Sequence, residues 1–146
     1  MQRQRGLTLL ELLVVLAIIA VASASVVFAM RDTTQSLLER EGQRLIAQLE
    51  AARTQSRAQG VPLVWTTTAS GFAIASPVAD YGFEAQREYW LSPGTVVDTT
   101  TIALGPEPII PPATLTLSTA SGERTGNTPI SVRIGTNGLE AFHRLP

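Results

Sequence analysis

The sequence predicts an α+β chain in which one long N-terminal helix packs on an antiparallel β-sheet head. Three observations predict it. From Leu7 to Gln59 there is no proline and one glycine, Gly42, so nothing in that stretch forces a helix to stop. Gly60 and Pro62 then supply a helix C′ residue and a residue that cannot continue the helix. Beyond them, short runs rich in β-branched and aromatic residues alternate with Gly, Pro, Asn and Asp, the composition of strands and turns. At 146 residues the chain accommodates one small domain and an anchor.

Residues 1–6 form a short basic leader carrying Arg3 and Arg5. Residues 7–30 are apolar except for Thr8, Glu11, Ser23 and Ser25. About 20 mostly apolar residues suffice to cross the hydrocarbon core as helix, so this run predicts a transmembrane helix. Arg3 and Arg5 before it favour a cytoplasmic N-terminus and place the remainder across the membrane. Glu11 is the anomaly. A carboxylate in the bilayer interior costs on the order of 2.5–3.5 kcal/mol, which marks it as a functional candidate.

Residues 31–60 read as the outer half of the same helix. Leu38, Leu45, Leu49, Ala52 and Ser56 recur at helical spacing, with Leu37 and Ile46 widening the stripe. Arg40, Glu41, Arg44, Glu50, Arg53 and Arg57 are assigned to the other faces. Gly42 costs about 1 kcal/mol against Ala and marks a candidate bend. The stripe needs a cover, and the head supplies it.

Residues 61–146 form that head. Leu63 to Trp65 and Phe72 to Ile74 predict a hairpin joined by a loop from Thr66 to Gly71. Pro77 to Gly82 is loop, Arg87 to Leu91 a strand, and Pro93-Gly94 a turn. Val96 to Leu104 alternates poorly. The prolines of Gly105 to Pro112 exclude helix and central strand around Ile109 and Ile110. Leu115 and Leu117 alternate with threonines as a strand, and Ser118 to Thr128 is a polar connection. Ile130, Val132 and Ile134 predict a strand, and Asn137-Gly138 a type I′ turn into Leu139 to Phe142.

Composition removes several kinds of chemistry. There is no cysteine, hence no disulfide framework, thiolate metal site or cysteine nucleophile. His143 is the single histidine and has no partners at metal or triad spacing, so it reads as a surface side chain. Ser121-Gly122-Glu123 lacks the nucleophile-elbow pattern. Gly135 to Gly138 lacks the lysine of a phosphate loop. Asp80, Glu84 and Glu88 read as a solvated face, and no metal is assigned to them. Trp65 and Trp90 are assigned to the core. From Val61 onward four arginines face seven carboxylates, a poor balance for binding phosphates. No enzyme, no cofactor and no nucleic-acid partner are expected.

Gly6 followed by an apolar residue, with Glu11 five positions on and a basic leader before it, resembles the N-terminal signature of type IV pilins and pseudopilins. That family more often carries Phe or Met where Leu7 stands. The resemblance implies that prepilin peptidase cleaves between Gly6 and Leu7, that Leu7 becomes the N-methylated terminus, and that Glu11 is the acidic residue of assembly. An α-amine at Leu7, with a pKa of about 7.7–8, is largely protonated at neutral pH. Glu11 lies one helical turn from it and could pair within the chain, or with a neighbouring subunit's amine. In the second case a buried unpaired charge penalises every wrong register.

The order of the head, with its Gly105 to Pro112 segment and its Gly135 to Leu139 hairpin, resembles the H-type minor pseudopilins (GspH/FimT family) of type II secretion systems. That implies a pilin-like fold and a structural subunit near the tip of a periplasmic pseudopilus that helps export folded proteins across the outer membrane. It also implies a single-pass inner-membrane location, N-terminus cytoplasmic and head periplasmic. The implied partners are other major and minor pseudopilins, prepilin peptidase and the inner-membrane assembly platform. Two alternatives stand beside it. One is a FimT/FimU-like minor pilin of a type IV pilus, acting in pilus assembly or DNA uptake. The other is a soluble secreted binding domain, released by signal-peptide cleavage after Ala22-Ser23-Ala24.

Overall fold

A computed structural model describes residues 9–120, 124–125 and 128–146; for residues 24–33, 124–125 and 128–129 it describes the backbone alone. The chain divides between Thr34 and Gln35 into two units, each taken by itself.

Helix α1 spans Leu9–Gln59, 51 residues, and crosses that division. In the first unit every described side chain from Leu9 to Ser23 is exposed. Among the described residues no helix is long and apolar enough to cross a membrane. The span expected over residues 7–30 includes Leu7, Thr8 and the side chains from Ala24 onward, which lie outside the described residues, as does the leader.

In the second unit the helix presents its expected stripe: Leu38, Leu45, Leu49, Ala52 and Ser56 are buried. Deleting any one of these leucine side chains would cost about 2–5 kcal/mol. The helix ends where expected. Gly60 takes a positive φ of 66°, and the Val61 amide donates to the Ser56 carbonyl at 3.2 Å, the 6→1 bond of a Schellman stop. Gly42 does not interrupt α1. It is buried, and a Cβ there would lie 2.9 Å from Cγ1 of Val132, so glycine admits close approach of helix to sheet.

The head pairs its strands antiparallel throughout the described residues. Strands β1 (Val64–Thr68), β2 (Gly71–Ala75), β3 (Gln86–Tyr89) and β5 (Thr101–Ala103) form one sheet in the order β3-β2-β1-β5. Strands β4 (Thr95–Val97), β6 (Ala113–Thr119), β9 (Ser131–Thr136) and β10 (His143–Leu145) form another, ordered β10-β9-β6-β4. Strands β7 (Arg124–Thr125) and β8 (Thr128–Pro129) pair with each other within the polar connection, whose residues 121–123 and 126–127 lie outside the described residues. Trp65, Phe72, Ile74 and Ile102 of the first sheet, and Leu115, Leu117, Val132 and Ile134 of the second, join the helix stripe in one core.

Four expectations need correction. The first hairpin is tighter than predicted: its strands reach Thr68 and Gly71, leaving Ala69-Ser70 as the connection, because exposed threonines carry the strand on. Strand β3 stops at Tyr89, two residues before the expected Leu91. The weakly alternating stretch Val96 to Leu104 contains two half-strands. Thr95–Val97 belongs to one sheet and Thr101–Ala103 to the other, so no single alternation could run through it. Finally, Asn137-Gly138 does not make a two-residue turn. Strand β9 pairs with His143–Leu145 instead of Leu139 to Phe142, across a longer loop. Within that loop Oδ1 of Asn137 accepts from the amides of Leu139 and Glu140, at 3.0 and 2.9 Å.

Candidate functional site

Glu11 sits in the first turn of α1, where a carboxylate complements the positive end of the helix dipole. Its neighbours Leu9, Leu10, Leu12 and Leu13 are all more than half exposed. Farther along, Val14, Val15, Leu16, Ile18, Ile19 and Val21 are exposed as well. Consecutive apolar positions point in every direction around a helix, and a helix apolar on all sides is one that something else buries. Glu11 is the one charged side chain on this surface from Leu9 to Ser23. Gly6 and Leu7, the expected cleavage and methylation positions, lie outside the described residues.

A second set of polar groups fixes the head to the outer helix. Glu41 and Arg53, assigned by periodicity to exposed faces, are buried, with 1% and 2% of their surface accessible. Oε2 of Glu41 accepts from the Leu91 amide, and Oε1 accepts from Nη1 of Arg44 at 3.3 Å. Arg44 donates in addition to the Tyr89 carbonyl at 2.9 Å and to the Glu88 carboxylate. In a strand, the carbonyl of one residue and the amide two residues on face the same side. Arg44 and Glu41 therefore take the places of a neighbouring strand along the outer edge at the end of β3, the side turned away from β2.

Nine positions along the helix a similar arrangement recurs, with Glu50 and Arg53 in the places of Glu41 and Arg44. Nη1 of Arg53 donates to Oε1 of Glu50 and to the Glu140 carbonyl, both at 2.9 Å, and Nη2 donates to the Gly138 carbonyl at 3.2 Å. Its guanidinium lies 5.7 Å from the centre of the Phe142 ring, and Oε1 of Glu50 accepts from the Phe142 amide at 2.9 Å. Arg57 closes the series by donating to the Pro108 carbonyl at 2.7 Å. The spacing held a signal for both buried charges. Leu38 to Leu45 leaves a gap of seven, and Glu41 fills it three residues after Leu38 and four before Leu45. Arg53 stands four after Leu49, and both are core positions of a helical seam.

The residues weighed for other chemistry are dispersed. His143 is exposed, its Nδ1 3.1 Å from the Ala141 carbonyl. Asp80, Glu84 and Glu88 are exposed, and no group of His, Cys, Asp or Glu among the described residues could hold a metal ion. Gly135 to Gly138 crosses from β9 into the hairpin loop, while Ser121, Gly122 and Glu123 lie outside the described residues. Trp65 and Trp90 are buried on either side of Phe72, with ring centres 5.9 and 5.2 Å from it.

The segment around Glu11 is also the one that other proteins share. Residues 1–27 match the prokaryotic N-terminal methylation motif. The motif is of prepilin type, takes in Gly6, Leu7 and Glu11, and is consistent with a pilin or pseudopilin. The α+β architecture with antiparallel sheets is compatible with a pilin-like fold. No curated protein and no solved structure matches the chain.

Proposed function

We propose that this chain is a minor pseudopilin of a type II secretion system. Prepilin peptidase cuts it after Gly6, Leu7 is N-methylated, and the subunit joins a pseudopilus near its tip. The observation that carries the reading is Glu11: one carboxylate, inside a methylation motif, on a helical surface otherwise exposed and apolar from Leu9 to Ser23. An apolar run from Leu7 to Met30 can reside in the inner membrane before assembly and in a bundle of like helices afterwards. Within the bundle Glu11 meets the terminal amine of a neighbouring subunit and sets its axial position, since a wrong register buries a charge without a partner.

The helix is drawn from the bilayer with the head on its outer half, and the contacts of Glu41, Arg44 and Arg53 hold the head to that helix under load. The partners are other major and minor pseudopilins, prepilin peptidase and the inner-membrane assembly platform. The role is structural, without a catalytic residue, cofactor or metal.

Glu11→Ala tests the register role directly: the variant should be processed normally yet fail to enter the sheared pseudopilus fraction. Incorporation at the level of the unaltered chain contradicts it. Deletion of the chain should block exoprotein release and spare twitching. Lost twitching with exoprotein release intact selects the type IV minor-pilin alternative and overturns the secretion assignment.

A further inference from the structure

A cleft of about 460 Å³ opens where the end of α1 meets the segment leading into β3. Gln55 and Gln59 line it from the last turns of the helix, one turn apart and on one face. Tyr81, Phe83, Glu84 and Gln86 line it from the other side. Three glutamines thus line one cleft, Gln55 half-buried and Gln59 and Gln86 exposed, so their carboxamides are accessible to a ligand there. Each carboxamide offers an acceptor oxygen and two donor hydrogens. Tyr81 is 51% exposed and Phe83 half-buried, so ring surface is available beside these amides. No arginine lines the cleft, and Glu84 is its one charge.

We propose that this cleft is a binding site for a neutral saccharide. Hydroxyl groups both donate and accept, which is what carboxamides match, and the C–H face of a sugar ring stacks on an aromatic ring. The absence of a cation among the lining residues and the presence of Glu84 select against phosphorylated and acidic sugars. The site is independent of Glu11 and of the N-terminal motif, so it stands or falls apart from the assembly reading.

The test is an NMR titration of the isotope-labelled full chain, held in a detergent without a sugar headgroup. Maltose and N,N′-diacetylchitobiose are the probes, with glucose 6-phosphate as the anionic comparison. The expected result is saturable amide shifts confined to Gln55 to Val61 and Tyr81 to Gln86 with at least one neutral disaccharide. Tyr81→Ala and Gln86→Ala, both at exposed positions, should each weaken binding by about tenfold, the equivalent of one lost contact of about 1.4 kcal/mol. No saturable shift with either disaccharide overturns the proposal. So does equal or tighter binding of glucose 6-phosphate, or binding unchanged in both variants.

Discussion

Arg53 of the helix donates to the backbone carbonyl of Gly138, 85 positions later in the chain, at 3.2 Å and out of contact with water. The contact is to backbone, so it fixes where the last hairpin loop sits without regard to most of that loop's side chains. The loop itself is shaped to receive it. Gly138 holds a positive φ of 93°, Thr136 Oγ1 accepts from its amide at 3.0 Å, and the Ile110 amide donates to the same Gly138 carbonyl at 3.3 Å.

Removing the guanidinium should therefore be expensive. Arg53→Ala removes one donor from each of the Gly138 and Glu140 carbonyls, which keep the Ile110 amide and the Thr136 hydroxyl, and leaves the Glu50 carboxylate without its ion-pair partner, at a cost of about 2 kcal/mol. Arg53→Lys should recover part of this, since an ammonium can reach one carbonyl but cannot span both with a fork. Urea unfolding of the two variants and the unaltered chain checks the order.

Gly138→Ala should be worse than the same change at Gly60, although both positions have positive φ. At Gly60 a Cβ meets nothing within 4 Å, leaving only the backbone cost of about 1–2 kcal/mol. At Gly138 a Cβ would lie 2.0 Å from the Ile110 carbonyl oxygen, so the two loops must separate and the Arg53 contact is lost with them. Thermal unfolding should show a clearly larger fall in midpoint for Gly138→Ala.

Asp98 should make stability depend on acid. Burial works against its ionisation, but the Thr116 amide and the Thr99 hydroxyl, at 2.7 and 3.1 Å, outweigh that and hold its pKa below the ordinary 3.8. A group depressed in the folded state binds protons more readily when unfolded. Its contribution is thus complete above the unfolded pKa and is lost as pH falls through the folded value. Urea midpoints measured downward from about pH 5 should fall more steeply for the unaltered chain than for Asp98→Asn.

Much of this architecture could be read from residue patterns, because local chemistry decided it. The end of α1 followed from Gly60 and Pro62, and the core stripe from apolar spacing. Where the reading missed, a distant partner had overruled a local rule. Periodicity placed Glu41 and Arg53 in solvent because they are charged, whereas the amide of Leu91 and the carbonyls of Gly138 and Glu140 are what make their burial tolerable. Asn137-Gly138 signals a tight turn in isolation, yet here the loop is pulled open to reach the helix. Glu11 stands out for the opposite reason, as a carboxylate amid leucines that violates the local rule, and its part in assembly is what Glu11→Ala tests.

Assembly through Glu11 requires a processed N-terminus. Intact mass and N-terminal sequencing of the full chain, expressed beside a prepilin peptidase and recovered from membranes, test it most directly. A chain that begins at N-methylated Leu7 is the predicted result. A chain that still begins at Met1, or one released from the membrane and beginning at Ser25, contradicts it.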